Sequence, residues 1–168
     1  MADEIVNKVA LSSLETVDLE AFYPKEEIKT LDLKPFLFME LIVKEKEFRE
    51  SLQKTDWSVY KDKIVAITCS VDSVIPMWAY MLLASHLQPF AADIVVGDEK
   101  TALREAVVRR IAAADTNEFR DKRVVVKGCG DKPIDDYAFL EITKKLRPVV
   151  KSIMYGEPCS TVPVYKKK

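Results

Sequence analysis

The stretch KIVAITCSVDSVIPMWAYMLLASHLQPFAADIVVGD, residues 63–98, decides the fold of this chain. Its two ends are short, continuous apolar runs that predict strands. Its middle is a longer apolar segment that predicts a helix at about residues 73–87. Pro76 suits the first turn of that helix. Because the helix is apolar on nearly every face, we expect it to be deeply buried.

The alternation of strand and helix continues towards the end of the chain. Residues 99–115 have the pattern of an amphipathic helix, 123–128 predict a third strand, 134–147 a third helix and 149–156 a fourth strand. Strands that are apolar throughout are typical of a sheet covered on both faces. Repeated strand–helix–strand units predict right-handed crossovers within one mainly parallel sheet. The predicted fold class is therefore α/β, a three-layer Rossmann-like domain.

The first 60 residues have a different pattern, which predicts an α+β extension on a core of residues 61–168, within one structural domain. TVDLEAF (16–22) and TLDLKPF (30–36) echo each other fourteen positions apart, and each predicts a short strand followed by a turn or helix start. A long helix is predicted at residues 35–54. Its apolar stripe needs a partner surface, which a second subunit could supply, so we expect a homodimer. The stripe consists of Phe38, Leu41, Ile42, Phe48 and Leu52.

Charge and composition exclude several classes of function. The chain of 168 residues has a formal net charge of −1, so no bulk field favours nucleic acid or an anionic membrane. Neither a signal peptide nor an apolar run long enough to span a bilayer is recognisable. We expect a cytoplasmic protein, in which the three cysteines are reduced thiols.

The cysteines fall at corresponding points of the predicted sheet. Cys69 ends the first strand, Cys129 follows the third in KGCGD, and Cys159 follows the fourth in YGEPCST. Because the carboxyl ends of parallel strands share one edge, where ligand sites gather, we expect the three thiols to lie together. Free cysteines often only fill space in a core, but glycine and proline turns are not core sequences.

Three thiols at one edge predict a metal site. Thiolates bind zinc or iron–sulfur clusters, usually with four protein ligands. No CxxC pair is present, so the fourth ligand would be an exogenous group or a further side chain, with an oxygen of Asp98 or Asp131 preferred. The side chains considered for this position are Asp72, Asp98, Asp131, Glu157 and His86. The leading hypothesis is therefore a cysteine-lined site for a metal ion or cluster.

Other functions stay open. Cys129 could be the nucleophile of a thiol-dependent enzyme, since it precedes a helix whose field would lower its pKa. His86, the only histidine, is predicted to be structural and far from Cys129. The glycine turn of Gly128 and Gly130, with Asp131, could instead hold a phosphate or carboxylate on its backbone N–H groups. A non-enzymatic, dimeric interaction module is the third alternative.

Several long segments resemble a known family. DKIVAITCS, IPMWAYMLLAS, VVVKGCGD and LRPVVKSIMYGEPCSTVP are similar to the bacterial family catalogued as domain of unknown function 2480. The resemblance extends over nearly the whole chain, including LFMELIVKEKEFRE. It implies no established activity and assigns no role to any cysteine. Its association with iron–sulfur cluster assembly implies a role in that process or in sulfur handling, with assembly proteins as candidate partners.

Overall fold

The chain folds into helices and strands of the α/β class. A computed structural model describes residues 14–128, 130–157 and 160–168. The strands in these ranges are β1 Leu14–Asp18, β2 Ile28–Asp32, β3 Ile64–Thr68, β4 Asp93–Val96, β5 Arg123–Lys127, β6 Ser152–Glu157 and β7 Ser160–Lys166. The α-helices are α1 Glu45–Lys54, α2 Met77–Leu87, α3 Glu99–Ala113 and α4 Asp136–Leu146.

The strands of the described residues form two sheets, so the expectation of a single sheet is wrong. The central sheet has the order β2-β3-β4 and is parallel throughout. The terminal sheet has the order β1-β5-β6-β7, in which only β7 is antiparallel. The physical reason is that β5 pairs with β1 from the start of the chain instead of joining β4. The strand–helix alternation does not specify which strands become neighbours.

Each sheet belongs to its own compact unit. The central unit is Pro24–Glu105, and the terminal unit contains the described residues up to Tyr23 together with those from Ala106 onward. This division differs from the extension and core expected from the sequence. It arises because β1 and β2, both in the presumed extension, each form the first strand of a different sheet.

The two units repeat one α/β pattern with a shift of 59 positions. Helices α2 and α4 each have eleven residues and begin at Met77 and Asp136. Asp62 precedes β3 and Asp121 precedes β5, and both residues adopt a φ of 57°. The backbone N–H of each aspartate donates a hydrogen bond of 3.0 Å to a carbonyl in the turn that follows the next helix. Matching bonds 59 residues apart indicate that the units are two copies of one design.

The echo at the start of the chain supplies the first strand of each copy. β1 pairs with β5, and β2 pairs with β3, in the same parallel register. A 3-10 turn follows each strand, at Leu19–Phe22 and Lys34–Phe36. In both turns the aspartate that ends the strand accepts a 3.0 Å hydrogen bond from the backbone N–H two residues later. The predicted strand-and-turn character of both segments is confirmed.

The long helix predicted at residues 35–54 is wrong in its first half. Only α1, Glu45–Lys54, is α-helical, and a tight hairpin bridges Phe38 and Ile42 instead. Met39 and Glu40 at its tip have left-handed φ values of 51° and 59°, which no α-helix accommodates. The apolar stripe is therefore divided between two environments. Phe48 and Leu52 are fully buried in the central core, whereas Leu41 and Ile42 are exposed.

The last strand lies at the edge of the terminal sheet. β7 pairs antiparallel with β6, with a register irregularity at Ile153 and Met154. Pro163 lies within this strand, as expected for an edge, since proline cannot donate to a further ladder. Pro158 and Cys159, which connect β6 to β7 in the chain, lie outside the described residues.

Within residues 14–128, 130–157 and 160–168, none of the helices has the length and apolar character to cross a bilayer.

Candidate binding site at the carboxyl edge of the terminal sheet

Charged side chains meet where the parallel strands of the terminal sheet end. Asp18 is the last residue of β1, Lys127 of β5 and Glu157 of β6, so the register brings the three to one edge. The Nζ of Lys127 lies 3.7 Å from Asp18 Oδ2 and 3.9 Å from Glu157 Oε1. All three side chains are partly exposed. The lysine therefore bridges two carboxylates on an accessible surface.

Glu20 adds a carboxylate to this edge. Its Oε1 atom is buried and has no hydrogen-bond partner among the described residues. Leaving such an acceptor unsatisfied costs about 1–3 kcal/mol. The Asp18 carboxylate fixes this region by accepting a 3.0 Å bond from the Glu20 backbone N–H. A buried, unpartnered carboxylate oxygen is a place where a cation or a hydrogen-bond donor would bind.

The glycine turn after β5 encloses that carboxylate. A Cβ atom added to Gly130 would lie 1.5 Å from Glu20 Oε1, so the backbone and the carboxylate touch. A Cβ on Gly128 would lie 2.6 Å from Cζ of Phe139. The Phe139 ring is in turn edge-on to Tyr155, with centroids 5.5 Å apart. Both glycines are therefore needed for close approach, one to Glu20 and the other to an aromatic pair.

The other residues named around this turn have different surroundings. Asp131 is exposed and lies five positions before α4, whose N-cap is Asp135. The nearby Lys132 places its Nζ 4.8 Å from the centroid of the Tyr23 ring. Cys129 itself lies outside the described residues. Because α4 begins seven positions after Cys129, and a helix field acts mainly within the first turn, the argument for a lowered thiol pKa is weakened.

Two of the four predicted metal ligands follow strands of the other sheet. Cys69 comes directly after β3, is half-buried, and packs against the core of the central unit. Asp98 follows β4 and caps α3, since its Oδ1 accepts from the Thr101 N–H at 2.8 Å and hydroxyl at 2.6 Å. These bonds, chiefly that from the hydroxyl, lower the pKa of Asp98. Cys69 and Asp98 thus follow strands of the central sheet, whereas the strands that precede Cys129 and Cys159 in the chain belong to the terminal sheet.

His86 belongs to the central unit as well. It lies in α2 and stacks on Trp57 with ring centroids 5.5 Å apart.

Among the described residues, no group of three or more histidine, cysteine, aspartate or glutamate side chains is arranged to hold a metal ion. Cys129 and Cys159 fall outside that statement. The described carboxylates alone therefore do not make a metal centre.

Asp32, which the sequence did not single out, is the best-bonded carboxylate at the edge of the central sheet. It accepts hydrogen bonds from the Ser70 hydroxyl at 2.5 Å, the Ser70 N–H at 3.0 Å and the Lys34 N–H at 3.0 Å. The Ser70 hydroxyl is the main cause of its lowered pKa, followed by the Lys34 N–H. The available signal was the echo itself, because Asp18 and Asp32 occupy the same place in it.

Replacing Asp32 with alanine is expected to destabilise the protein by about 1–2 kcal/mol at neutral pH, because three accepted bonds are lost. The folded-state pKa of Asp32 is lowered, so its contribution is present above the unfolded pKa of 3.8. That contribution disappears as the pH falls through the still lower folded value. Urea unfolding at pH 7 and at pH 3 measures the effect. The difference in the free energy of unfolding between Asp32→Ala and the wild type should be smaller at pH 3 than at pH 7. Asp131→Ala should change the free energy of unfolding little at either pH.

Comparison with known proteins identifies a family but no characterised relative. No curated protein and no solved structure matches the chain. The family resemblance noted in the sequence is confirmed, and the match leaves out only the first two residues and the last one. Over residues 3–167 the chain matches, and therefore belongs to, the family described as "Protein of unknown function (DUF2480)".

Proposed function

We propose that the carboxyl edge of the terminal sheet binds a zinc ion or an iron–sulfur cluster through Cys129, Cys159 and the carboxylate of Glu20, in iron–sulfur assembly or sulfur handling. Ligand sites of Rossmann-like sheets lie at the carboxyl edge, and we treat the terminal sheet as a Rossmann-like sheet. The observation that carries it is the buried Glu20 Oε1 atom, which touches the Gly130 backbone and has no partner among the described residues. A cation would satisfy that oxygen.

The chain positions of two cysteines support the proposal. Cys129 comes two residues after the end of β5, and Cys159 two residues after the end of β6. These strands are adjacent and parallel, so their ends are about 5 Å apart. Both connections therefore begin from neighbouring points of one edge. Two soft thiolates and a carboxylate suit zinc or iron, and they leave a position open for an exogenous ligand.

The repeat between the units gives a second line of support. A shift of 59 positions matches Cys129 to Ser70, and the echo matches Asp18 to Asp32. In the central unit the serine and the aspartate are bonded to each other, which closes that edge. In the terminal unit a thiol replaces the hydroxyl, and Lys127 engages the aspartate. Lys127 comes two residues before Cys129 in the chain, and a lysine close to a thiol would favour the thiolate, which metal binding requires.

Cys69 and Asp98 are left out of the proposed ligand set. Both follow strands of the central sheet, and each has a structural role there. Cys69 packs against a core, and Asp98 caps a helix. This gives a control of the same chemistry, because one cysteine of the same chain is expected not to bind the metal.

The test is the metal content of the full-length protein purified without oxygen, measured by elemental analysis and visible absorption. Wild-type protein is expected to hold zinc or iron. Cys129→Ser and Cys159→Ser should each lower the occupancy by about tenfold or more, as expected for loss of a ligand. Glu20→Gln should lower it less, because the amide oxygen can still coordinate. Cys69→Ser should retain the metal.

Two results would contradict the proposal. One is wild-type protein with reduced thiols that holds neither zinc nor iron, even after anaerobic incubation with each. The other is loss of metal in Cys69→Ser equal to that in Cys129→Ser, which would return the ligand set to the three thiols inferred from the sequence. Circular dichroism of each variant separates loss of the site from loss of the fold.

A further inference from the structure

The central unit exposes a group of large apolar side chains, which we call the methionine patch. Its members come from the hairpin that the Phe38–Ile42 bridge closes, from the segment before α2 and from one face of α2. Their exposed fractions range from 58% to 92%. The patch consists of Met39, Leu41, Ile42, Val74, Met77 and Met81.

A hydrogen bond places the hairpin of the patch beside the segment that leads into α2. The Ser73 hydroxyl donates a 2.6 Å hydrogen bond to the Leu41 carbonyl, which ties the hairpin to the segment before α2. Val74 follows Ser73 directly. Met77 and Met81 lie one helical turn apart on the same face of α2. The hydrogen bond therefore joins the hairpin side chains to those of the helix.

The exposed face of α2 is unusual for this helix. Its sequence is apolar on nearly every side, which predicts burial all round. One face is buried, with Ala79, Leu83 and Leu87 at most 1% exposed, but Met77 and Met81 are each 73% exposed. At the position of Met77, the matching helix of the terminal unit has Asp136. The exposed methionine at the start of the helix is thus particular to α2, and a helix of this composition needs a cover on its second face.

The hairpin holds its side of the patch with a strained backbone. Met39 and Glu40 both adopt left-handed φ values, in which non-glycine residues are strained. A 2.7 Å bond from the Phe38 N–H to the Ile42 carbonyl closes the hairpin. The result is an exposed Met39 on a fixed support. Such strain at a surface apolar residue is typical of a functional contact.

The size and charge of the patch indicate what covers it. From their exposed fractions, six side chains of this size present on the order of 800 Å², about what each partner contributes to a standard protein interface. The charged residues beside the hairpin are already engaged. Lys34 pairs with Glu40 at 3.1 Å, and Lys44 lies over the Phe38 ring. The patch is itself apolar and adaptable, and its area is what each copy would contribute to a symmetric contact with a second copy.

We propose that the methionine patch is the interface through which two copies of this chain form a symmetric dimer. The helix faces of the two copies pack on each other, and each hairpin contributes to the rim of the interface. The patch residues all belong to the central unit, whereas the residues of the proposed metal site belong to the terminal unit.

The oligomeric state of the full-length protein tests the proposal, measured by analytical ultracentrifugation over a range of concentrations. Wild-type protein is expected to dimerise. Met77→Asp introduces the residue that α4 carries at the matching position, and it should weaken the dimer about tenfold or more because the charge would be buried without a partner. Leu140→Asp is the matched control, since Leu140 of α4 is 64% exposed and corresponds to Met81. It should leave the dimer intact.

Oxidation by hydrogen peroxide gives a second measurement that requires no variant. Exposed methionines are converted to sulfoxides, and burial protects them. Met39, Met77 and Met81 should become at least several-fold slower to oxidise as the protein concentration rises, whereas Met154 should not change. A wild-type protein that stays monomeric, or a dimer that Met77→Asp leaves unweakened and in which these methionines gain no protection, would overturn the proposal. A monomer whose patch is covered by residues 1–13, or by an unrelated partner, is the same contrary result.

Discussion

Replacing Phe48 with alanine is expected to lower the free energy of unfolding by about 3–5 kcal/mol. The ring is fully buried in the core of the central unit. It packs edge-on against Phe36 and Trp78, with centroid distances of 6.3 and 5.9 Å. Truncation therefore removes the burial of a large side chain and two aromatic contacts, and it leaves a cavity in the core.

Tryptophan fluorescence during urea unfolding measures this effect directly. The only two tryptophans, Trp57 and Trp78, both belong to this core, so the signal reports the central unit. Phe90→Ala is the matched control, because Phe90 is 37% exposed in the turn after α2. Phe90→Ala should lower the free energy of unfolding by less than half as much as Phe48→Ala does. Equal losses for the two variants would show that Phe48 is not the centre of the core.

The same phenylalanine illustrates what the sequence could predict. Periodicity placed Phe48 and Leu52 on one buried face, which is correct because α1 is amphipathic and continuous. Periodicity also extended that face back to Leu41 and Ile42, which is wrong. The pattern of apolar residues was compatible with a helix, but it could not register the left-handed backbone at Met39 and Glu40. Neither residue is a glycine, so the turn had no sequence signal.

The pairing of strands was the main feature that the sequence could not supply. Each strand of the core was located to within a few residues, because continuous apolar runs between turns are a local signal. The partner of a strand is not local. β5 pairs with β1, whose residues lie 109 positions earlier, as in the register of Leu14 with Arg123. The repeat between the units was present in the sequence, but only matched backbone bonds and strand registers make it evident.

The candidate site follows the same division. Cys129, Gly128 and Gly130 were recognised as a turn after a strand, since the apolar run and the glycines are adjacent in the sequence. Glu20 was not recognised, because its contact with Gly130 joins residues 110 positions apart. The grouping of Cys69 with Cys129 depended on a single sheet, and it lost its basis when the strands proved to lie in two. Local chemistry was thus predictable, and its assembly was not.

Replacing Gly156 with alanine is expected to destabilise the terminal unit by about 2–6 kcal/mol, because two costs of about 1–3 kcal/mol each add at one position. Gly156 lies in β6 with a φ of +119°, where L-residues are strained. An added Cβ would also lie 2.5 Å from the backbone carbonyl oxygen of Ser160 on β7. A backbone atom in a paired strand cannot move aside as a side chain can. The β6–β7 pairing must therefore shift or open.

This substitution also tests how the proposed metal site depends on the hairpin. Glu157 at the sheet edge follows Gly156 directly, and Cys159 belongs to the two residues that connect the strands. The variant is therefore expected to lose both stability, measured by thermal melting with circular dichroism, and bound metal. Gly130→Ala is the control, because its Cβ would meet only the mobile end of the Glu20 side chain. It should melt close to the wild type yet bind metal more weakly. If Gly156→Ala melts like the wild type, the close approach of Gly156 to Ser160 does not limit the stability of the terminal unit.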